Sequence, residues 1–304
     1  FKISSIINRD IKQYKNYNRV DSLIARILIA NTSKAPIIEA NYSKNQISIN
    51  GDIVKLYWND IEKGKIDNIK KHYGCILSTS KDHINNKKIH KKLTKISDYI
   101  FAVAENIKLP AIYPSLIYSN KKYFTNQPIK ITNENIFAFG SCQTNGWQSG
   151  LSVLLSYAEY LEIEYLKFLG LEADIVHPDT PTGKFGTKSV NPRLQESRNN
   201  LRPGFSQLEA SMNRIYKDSI NSNSVALRVN IEPPGFLISR FYFNYKNNKK
   251  INQKDLIKYF KKFAKANPKI INTPFYPLGS KAFNNLETSS VILTQDEYFK
   301  YYDN

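Results

Sequence analysis

The chain has 304 residues, enough for one large domain or two modest ones with a substantial buried core. Apolar residues make up 41% and aromatics 12%, which excludes a disordered chain, a collagen and a coiled coil. Lys and Arg number 44 against 26 Asp and Glu, a net charge of +18 that invites anionic partners; only nine of the cations are Arg, and an A/T-rich coding sequence accounts for much of the Lys excess.

In chain order, Arg26 to Ala30 reads as a short apolar strand ending in Asn31, Thr32 and Ser33, small polar residues suited to a turn or a helix start. Gly51 to Trp58 reads as a second strand closing on Asn59 and Asp60, with further strands at Gly74 to Ser78 and Tyr99 to Val103. An apolar run from Asn135 to Phe139 precedes a small-residue loop from Gly140 to Gly150. A long helix is then predicted from Leu151 to Leu161, with Ser149-Gly150 at its mouth. Tyr165 to Leu169 is the next strand. Gly170 opens a long loop through His177 and Gly183-Lys184-Phe185-Gly186 to Pro203, whose stretch from about 175 to 203 is lid-like. A helix over Gln207 to Asp218 and a strand over Ser224 to Ile231, stopped by Pro233-Pro234-Gly235, complete the alternation. Alternating short strands and helices predict an α/β fold with a mostly parallel sheet over residues 1–245, and a smaller basic helical appendage over 246–304.

Charge is uneven along the chain. Lys55 to Lys95 carries a net +7 and Lys246 to Lys269 a net +8, while Gly150 to Thr180 is acidic. In the second basic block Leu256, Ile257, Tyr259, Phe260 and Phe263 share one helical face, and Lys254, Lys258, Lys261, Lys262 and Lys265 take the rest. Such a helix either lies on an anionic membrane surface or packs its apolar face on the domain with lysines in water. No run reaches the roughly 18 residues a membrane span needs, and no leader is read in the opening residues. Two cysteines, Cys75 and Cys142, frame no disulfide scaffold, so a cytoplasmic location is expected.

No dinucleotide fingerprint, phosphate-binding loop, His-Glu-x-x-His or paired Cys-x-x-Cys is present, and no Asp-x-Asp to clamp a metal. His72, Cys75, His83 and His90 match no common zinc spacing, and no nucleophile elbow marks a serine hydrolase. No metal or cofactor is expected. In open α/β sheets, ligands bind at the carboxyl ends of strands against helix amino ends. Gln148-Ser149-Gly150 at a helix mouth would receive a phosphate or carboxylate, unless Ser149 is only a cap. His177, read as lying just past a strand, is a candidate general base or phosphate-binding imidazole, unless it is a loop histidine in a proline turn.

The run from Ser149-Gly150-Leu151 through the turn at Leu161-Glu162 to Leu169-Gly170 and Asp174 resembles the bacterial lipooligosaccharide sialyltransferases. So do Ile27 to Ser33, Asn41-Tyr42-Ser43, and Leu56 to Asn59, in the family's order. The resemblance spans most of residues 25 to 240. It implies a Rossmann-like nucleotide-binding sheet with flanking helices and a metal-independent glycosyltransferase. The donor would be a CMP-activated sialic or related ulosonic acid and the acceptor a bacterial surface glycan. It also implies that Asn31, Thr32, Ser33 and Asn59 contact cytidine and donor, and that Gln148, Ser149, Gly150 and Asp174 hold its anionic groups. The family's glycine-rich first turn is reduced here, and its catalytic histidine before the Gln207 helix is replaced by Glu196, Arg198 and Arg202. His177 or Glu196 is then the catalytic group, Arg198 and Arg202 bind substrate, and a CMP-Kdo donor is the variant that accommodates the change. Two other readings stand beside it: a non-enzymatic nucleic-acid-binding protein using the lysine blocks, and an envelope-assembly protein on a decayed transferase fold.

Overall fold

The computed structural model describes residues 18–30, 37–57, 73–78, 87–102, 109–113, 135–178, 201–204, 206–216, 221–229, 231, 234–247, 250–284 and 286–303. They form a mixed α/β protein in two compact units, one made by the described residues up to Ile100 and one by those from Phe101 onward.

In the first unit, α1 (Arg19–Ala30) starts at Asn18, whose side chain accepts from the Asp21 backbone N–H at 2.9 Å. The strand expected at Arg26 to Ala30 is therefore the end of this helix. A three-stranded antiparallel meander follows, β1 (Ile38–Asn41), β2 (Gln46–Ile49) and β3 (Asp52–Lys55). Asn50 and Gly51, at φ of 52° and 93°, make the two-residue turn between β2 and β3 that Asn-Gly favours. Tyr42, in the β1–β2 turn, donates to Asp21 Oδ1 at 2.6 Å, and that hydrogen bond raises the phenol's pKa. β4 (Tyr73–Ser78) pairs with β5 (Ser97–Ala102), and α2 (Lys87–Leu93) buries Ile89, His90 and Leu93.

In the second unit, the end of β5 is joined by β6 (Ile136–Ala138), and the Phe139 N–H donates to Ala102 O at 2.7 Å. α3 (Cys142–Tyr160) then runs into a tight turn at Leu161 and Glu162 and returns as β7 (Tyr165–Pro178). β8 (Arg202–Gly204), α4 (Leu208–Tyr216), β9 (Ser222–Val229) and β10 (Phe236–Lys246) complete a sheet of order β10-β7-β9-β8. α5 (Gln253–Ala266) and the parallel pair β11 (Ile271–Asn272) and β12 (Ser290–Val291) close the unit.

Three expectations are corrected here. The main sheet is mixed rather than mostly parallel: β7 and β9 are parallel, while β10–β7 and β8–β9 are antiparallel. β7 does not end at Gly170. Tyr242 pairs with Gly170 and Phe243 with Phe168, leaving Leu169 as a bulge, and this extra residue shifts the buried set from Leu166 and Phe168 to Leu171, Ala173 and Ile175. The strand thus runs on to Pro178. Residues 246–304 are no appendage either, because Leu256, Phe260 and Phe263 of α5 belong to one core cluster with Trp147, Leu155 and Leu171. Trp147 stacks on Phe241 at 5.8 Å between ring centres, fixing α3 on the sheet.

Candidate active site at the amino end of α3

Helix α3 starts nine residues before the predicted position. Thr144, Trp147, Gln148, Leu151, Leu154, Leu155 and Ala158 are all buried, an i, i+3, i+4, i+7 stripe that carries the helix through weak helix formers such as Thr144, Gly146 and Gly150. Its cap is Ser141, whose hydroxyl accepts from the Thr144 backbone N–H at 3.3 Å. The Tyr113 hydroxyl donates to Gly140 O just ahead of the cap.

This overturns the role expected of Gln148-Ser149-Gly150. All three lie two turns inside α3, where backbone N–H groups are spent in the helix ladder. Ser149 is 0% exposed and its hydroxyl donates to Asn145 O at 2.8 Å. Gln148, also 0% exposed, donates to Ser152 Oγ and accepts from the Tyr216 hydroxyl at 2.6 Å, tying α3 to α4. They are packing residues.

The amino end of α3 faces the carboxyl end of β7. Cys142, the first helical residue, is exposed, and its sulfur lies 3.7 Å from His177 Nε2. The other ring nitrogen meets Arg228 on β9, with Nη1 at 2.5 Å from Nδ1; the same Nη1 donates to Pro178 O at 2.8 Å. Nδ1 also lies 2.7 Å from Pro178 O, so a guanidinium that only donates and a carbonyl that only accepts meet the same ring nitrogen, while Nε2 is turned toward α3. Register explains the grouping. His177 pairs with Arg228 across β7–β9, and Arg228 with Arg202 across β9–β8, placing all three in one row on one sheet face. Arg228 and Arg202 are 2% and 5% exposed, so their charge acts from behind the histidine. The amino end of α3 thus meets the His177 imidazole at this strand end, with Arg228 on the ring's other nitrogen and Arg202 next in register, an arrangement suited to phosphate or carboxylate.

His177 thus stands inside a strand rather than in a proline-turn loop, and Arg202 joins it. Asp174 does not: it alternates to the opposite sheet face, where it accepts from Arg240 at 2.7 Å. That hydrogen bond holds the Arg240 guanidinium above its ordinary pKa. Beside them, partial burial raises the Tyr242 phenol, which donates to Glu172. Asn31, Thr32, Ser33, Asn59, Glu196 and Arg198 lie outside the described residues, as do His72, His83 and the glycines of the 183–186 segment. Among the described residues no three His, Cys, Asp or Glu side chains group to hold a metal. Sequence reasoning missed Ser141, Cys142 and Arg228. The first two follow an apolar run directly, as a strand-to-helix turn would, while the alternation of Ala226 and Arg228 gives no hint that a cation is buried there.

No protein-family model matches this chain, and no curated protein matches it. The likeness to the lipooligosaccharide sialyltransferases rests on its short motifs alone.

Proposed function

We propose that the protein is a glycosyltransferase that moves a sialic acid or related ulosonic acid from a CMP-activated donor to a bacterial surface glycan. One observation carries the ligand class: the amino end of α3 and the row His177, Arg228 and Arg202 meet at the carboxyl ends of the parallel pair β7 and β9. That is where α/β proteins hold anions, and a CMP-ulosonic acid carries both a phosphate and a carboxylate. The nucleotide and the sugar come from the motif resemblance, and a Rossmann-like arrangement of the nucleotide end comes with it.

In this reading the acceptor hydroxyl attacks the anomeric carbon as CMP departs. His177 donates to the leaving phosphate through Nε2, while Arg228 and Pro178 O hold the ring at Nδ1. Proton removal from the acceptor falls to Glu196, with Arg198 on the substrate and Gly183 to Gly186 in a lid. Asn31, Thr32, Ser33 and Asn59 take the cytidine end. The enzyme works without a metal in the cytoplasm, and Lys254, Lys258, Lys261, Lys262 and Lys265 favour the inner membrane face where a glycolipid acceptor lies.

The test is CMP release from CMP-sialic acid and CMP-Kdo, with UDP-sugars as controls. Turnover of one CMP-sugar, reduced by about 10²-fold or more in His177→Ala, is the expected result. Failure of every cytidine nucleotide to bind would overturn the reading.

A further inference from the structure

We propose that the cleft between α5 and segment 294–297 binds a sugar acid, a ring that presents its carboxylate to Lys254 and Lys261 and its hydroxyls to Thr294 and Gln295. The inference stands on the cleft's own residues and does not require the CMP-sugar reading.

The cleft has a volume of about 430 Å³, room for one small molecule. Lys254, Ile257 and Lys261 line it from α5, where spacings of three and four residues put them on one helix face. Both lysines are exposed, and neither makes an ion pair among the described residues. Segment 294–297 brings two buried polar atoms without a partner. Thr294 is 2% exposed, and its Oγ1 makes no hydrogen bond among the described residues. Gln295 spends Nε2 on Pro274 O at 2.8 Å and on Phe275 O at 3.0 Å. Those two bonds orient the carboxamide and leave Oε1 as a buried acceptor with no donor. Unpaired buried polar atoms lower stability, and two in succession at one cleft are accounted for when a ligand completes them.

The lining selects the ligand by charge. Two unpaired ammonium groups call for an anion. Asp296, which accepts from Gln253 at 3.3 Å, and Glu297 line the cleft too, so a ligand anionic throughout, such as a polyphosphate, is repelled. Gln295 Oε1 requires a donor, and a neutral hydroxyl reaches a buried neutral oxygen at less desolvation cost than an ammonium does. A carboxylate and free hydroxyls on one small ring meet all three demands. Phosphate lacks the neutral donors, a neutral sugar lacks the anion, and an amino acid brings the costlier donor.

The experiment titrates the full chain with D-glucuronate, D-glucose, glycine and inorganic phosphate, reading backbone amide shifts that also locate the site. D-glucuronate is expected to shift the amides of segment 294–297 with a Kd of about 1 mM or below, and the other three to bind about tenfold or more weakly. The double variant Lys254→Gln, Lys261→Gln, at two exposed positions, should weaken glucuronate by about tenfold or more, while His177→Ala leaves it unchanged. Thr294→Val should weaken it several-fold yet melt no lower than the native chain, because the lost hydroxyl bonds to nothing there. No binding by about 20 mM glucuronate overturns the proposal, as does equal affinity for glycine, phosphate or glucose. So does an affinity that the double variant leaves unchanged, or one that His177→Ala removes. A Thr294→Val chain that melts well below native would show the hydroxyl to be structurally bonded, and would overturn it as well.

Discussion

Arg228 Nη1 lies 2.5 Å from His177 Nδ1, and the two residues are also direct register partners on the parallel strands β9 and β7. Nδ1 also lies 2.7 Å from Pro178 O, so the guanidinium, which favours Nδ1 as acceptor, competes there with a carbonyl that favours it as donor. Replacing Arg228 with methionine removes a buried charge but keeps much of its volume. Stability should fall by about 1–3 kcal/mol, because buried acceptors such as Pro178 O lose their donor. The histidine should change too. Long-range ¹⁵N correlation spectra read which ring nitrogen carries the proton, and Arg228→Met should shift the imidazole toward the Nδ1–H form that donates to Pro178 O. Spectra unchanged in Arg228→Met would show that the guanidinium does not set the proton's position.

The residues once expected at a helix mouth behave as helix interior. A methyl group on Gly150 would meet Phe241 Cζ at 3.8 Å and Ile292 Cδ1 at 3.9 Å, ordinary contacts, so Gly150→Ala should raise stability by about 0.5–1 kcal/mol through helix propensity. Ser149→Ala removes a hydroxyl that only back-bonds to Asn145 O, and should leave CMP affinity unchanged. Ser141→Ala instead strips the cap from the first turn, costs about 1 kcal/mol, and should weaken anion binding. Thermal shifts with and without CMP distinguish the three. Loss of binding in Gly150→Ala with Ser141→Ala unaffected would reverse the placement of the site.

Gly235 guards the same strand end from the other side. A Cβ there would stand 2.9 Å from Val176 O and 3.1 Å from Pro178 Cδ, closer than real side chains pack. Gly235→Ala must therefore push apart β10 and the end of β7, the residues on either side of His177. An overpacking cost of about 1–3 kcal/mol is expected, together with a shifted His177 imidazole resonance. Stability and resonance both unchanged would show that the two strands separate without disturbing the site.

How legible this was depended on whether a local pattern matched the tertiary role. The strand at Gly74 to Ser78 was readable as a short apolar run, and the strand at Ser224 to Ile231, the α4 helix and the basic helix α5 carry periodicities that burial then used. β7 was cut short because the bulge at Leu169 breaks strict alternation, and only pairing with β10 reveals the continuation. The start of α3 was hidden because Thr144, Gly146 and Gly150 are poor helix formers, held there by burial beneath the sheet and α4. The Asn50-Gly51 turn was an available signal that went unread. Of the row shared by β7, β9 and β8, the sequence singled out His177 and Arg202 but not Arg228. Its role exists only through register, as a neighbour of both.

The lysine face of α5 supplies the last prediction. Leu256, Phe260 and Phe263 are buried in the core, while Lys254, Lys258, Lys261, Lys262 and Lys265 are exposed. The apolar face that a membrane-inserting helix would use is already occupied, so any lipid contact through α5 must be electrostatic. Co-sedimentation with anionic vesicles should then fall steeply as ionic strength rises from about 0.05 M to 0.5 M, because the screening length shrinks to a few ångströms. Glutamine at all five positions should abolish it with the fold intact. Phe260→Ala, by contrast, should cost about 3–5 kcal/mol, since it opens a cavity in the core. Vesicle binding that survives high salt would instead require α5 to leave the core and insert its apolar face.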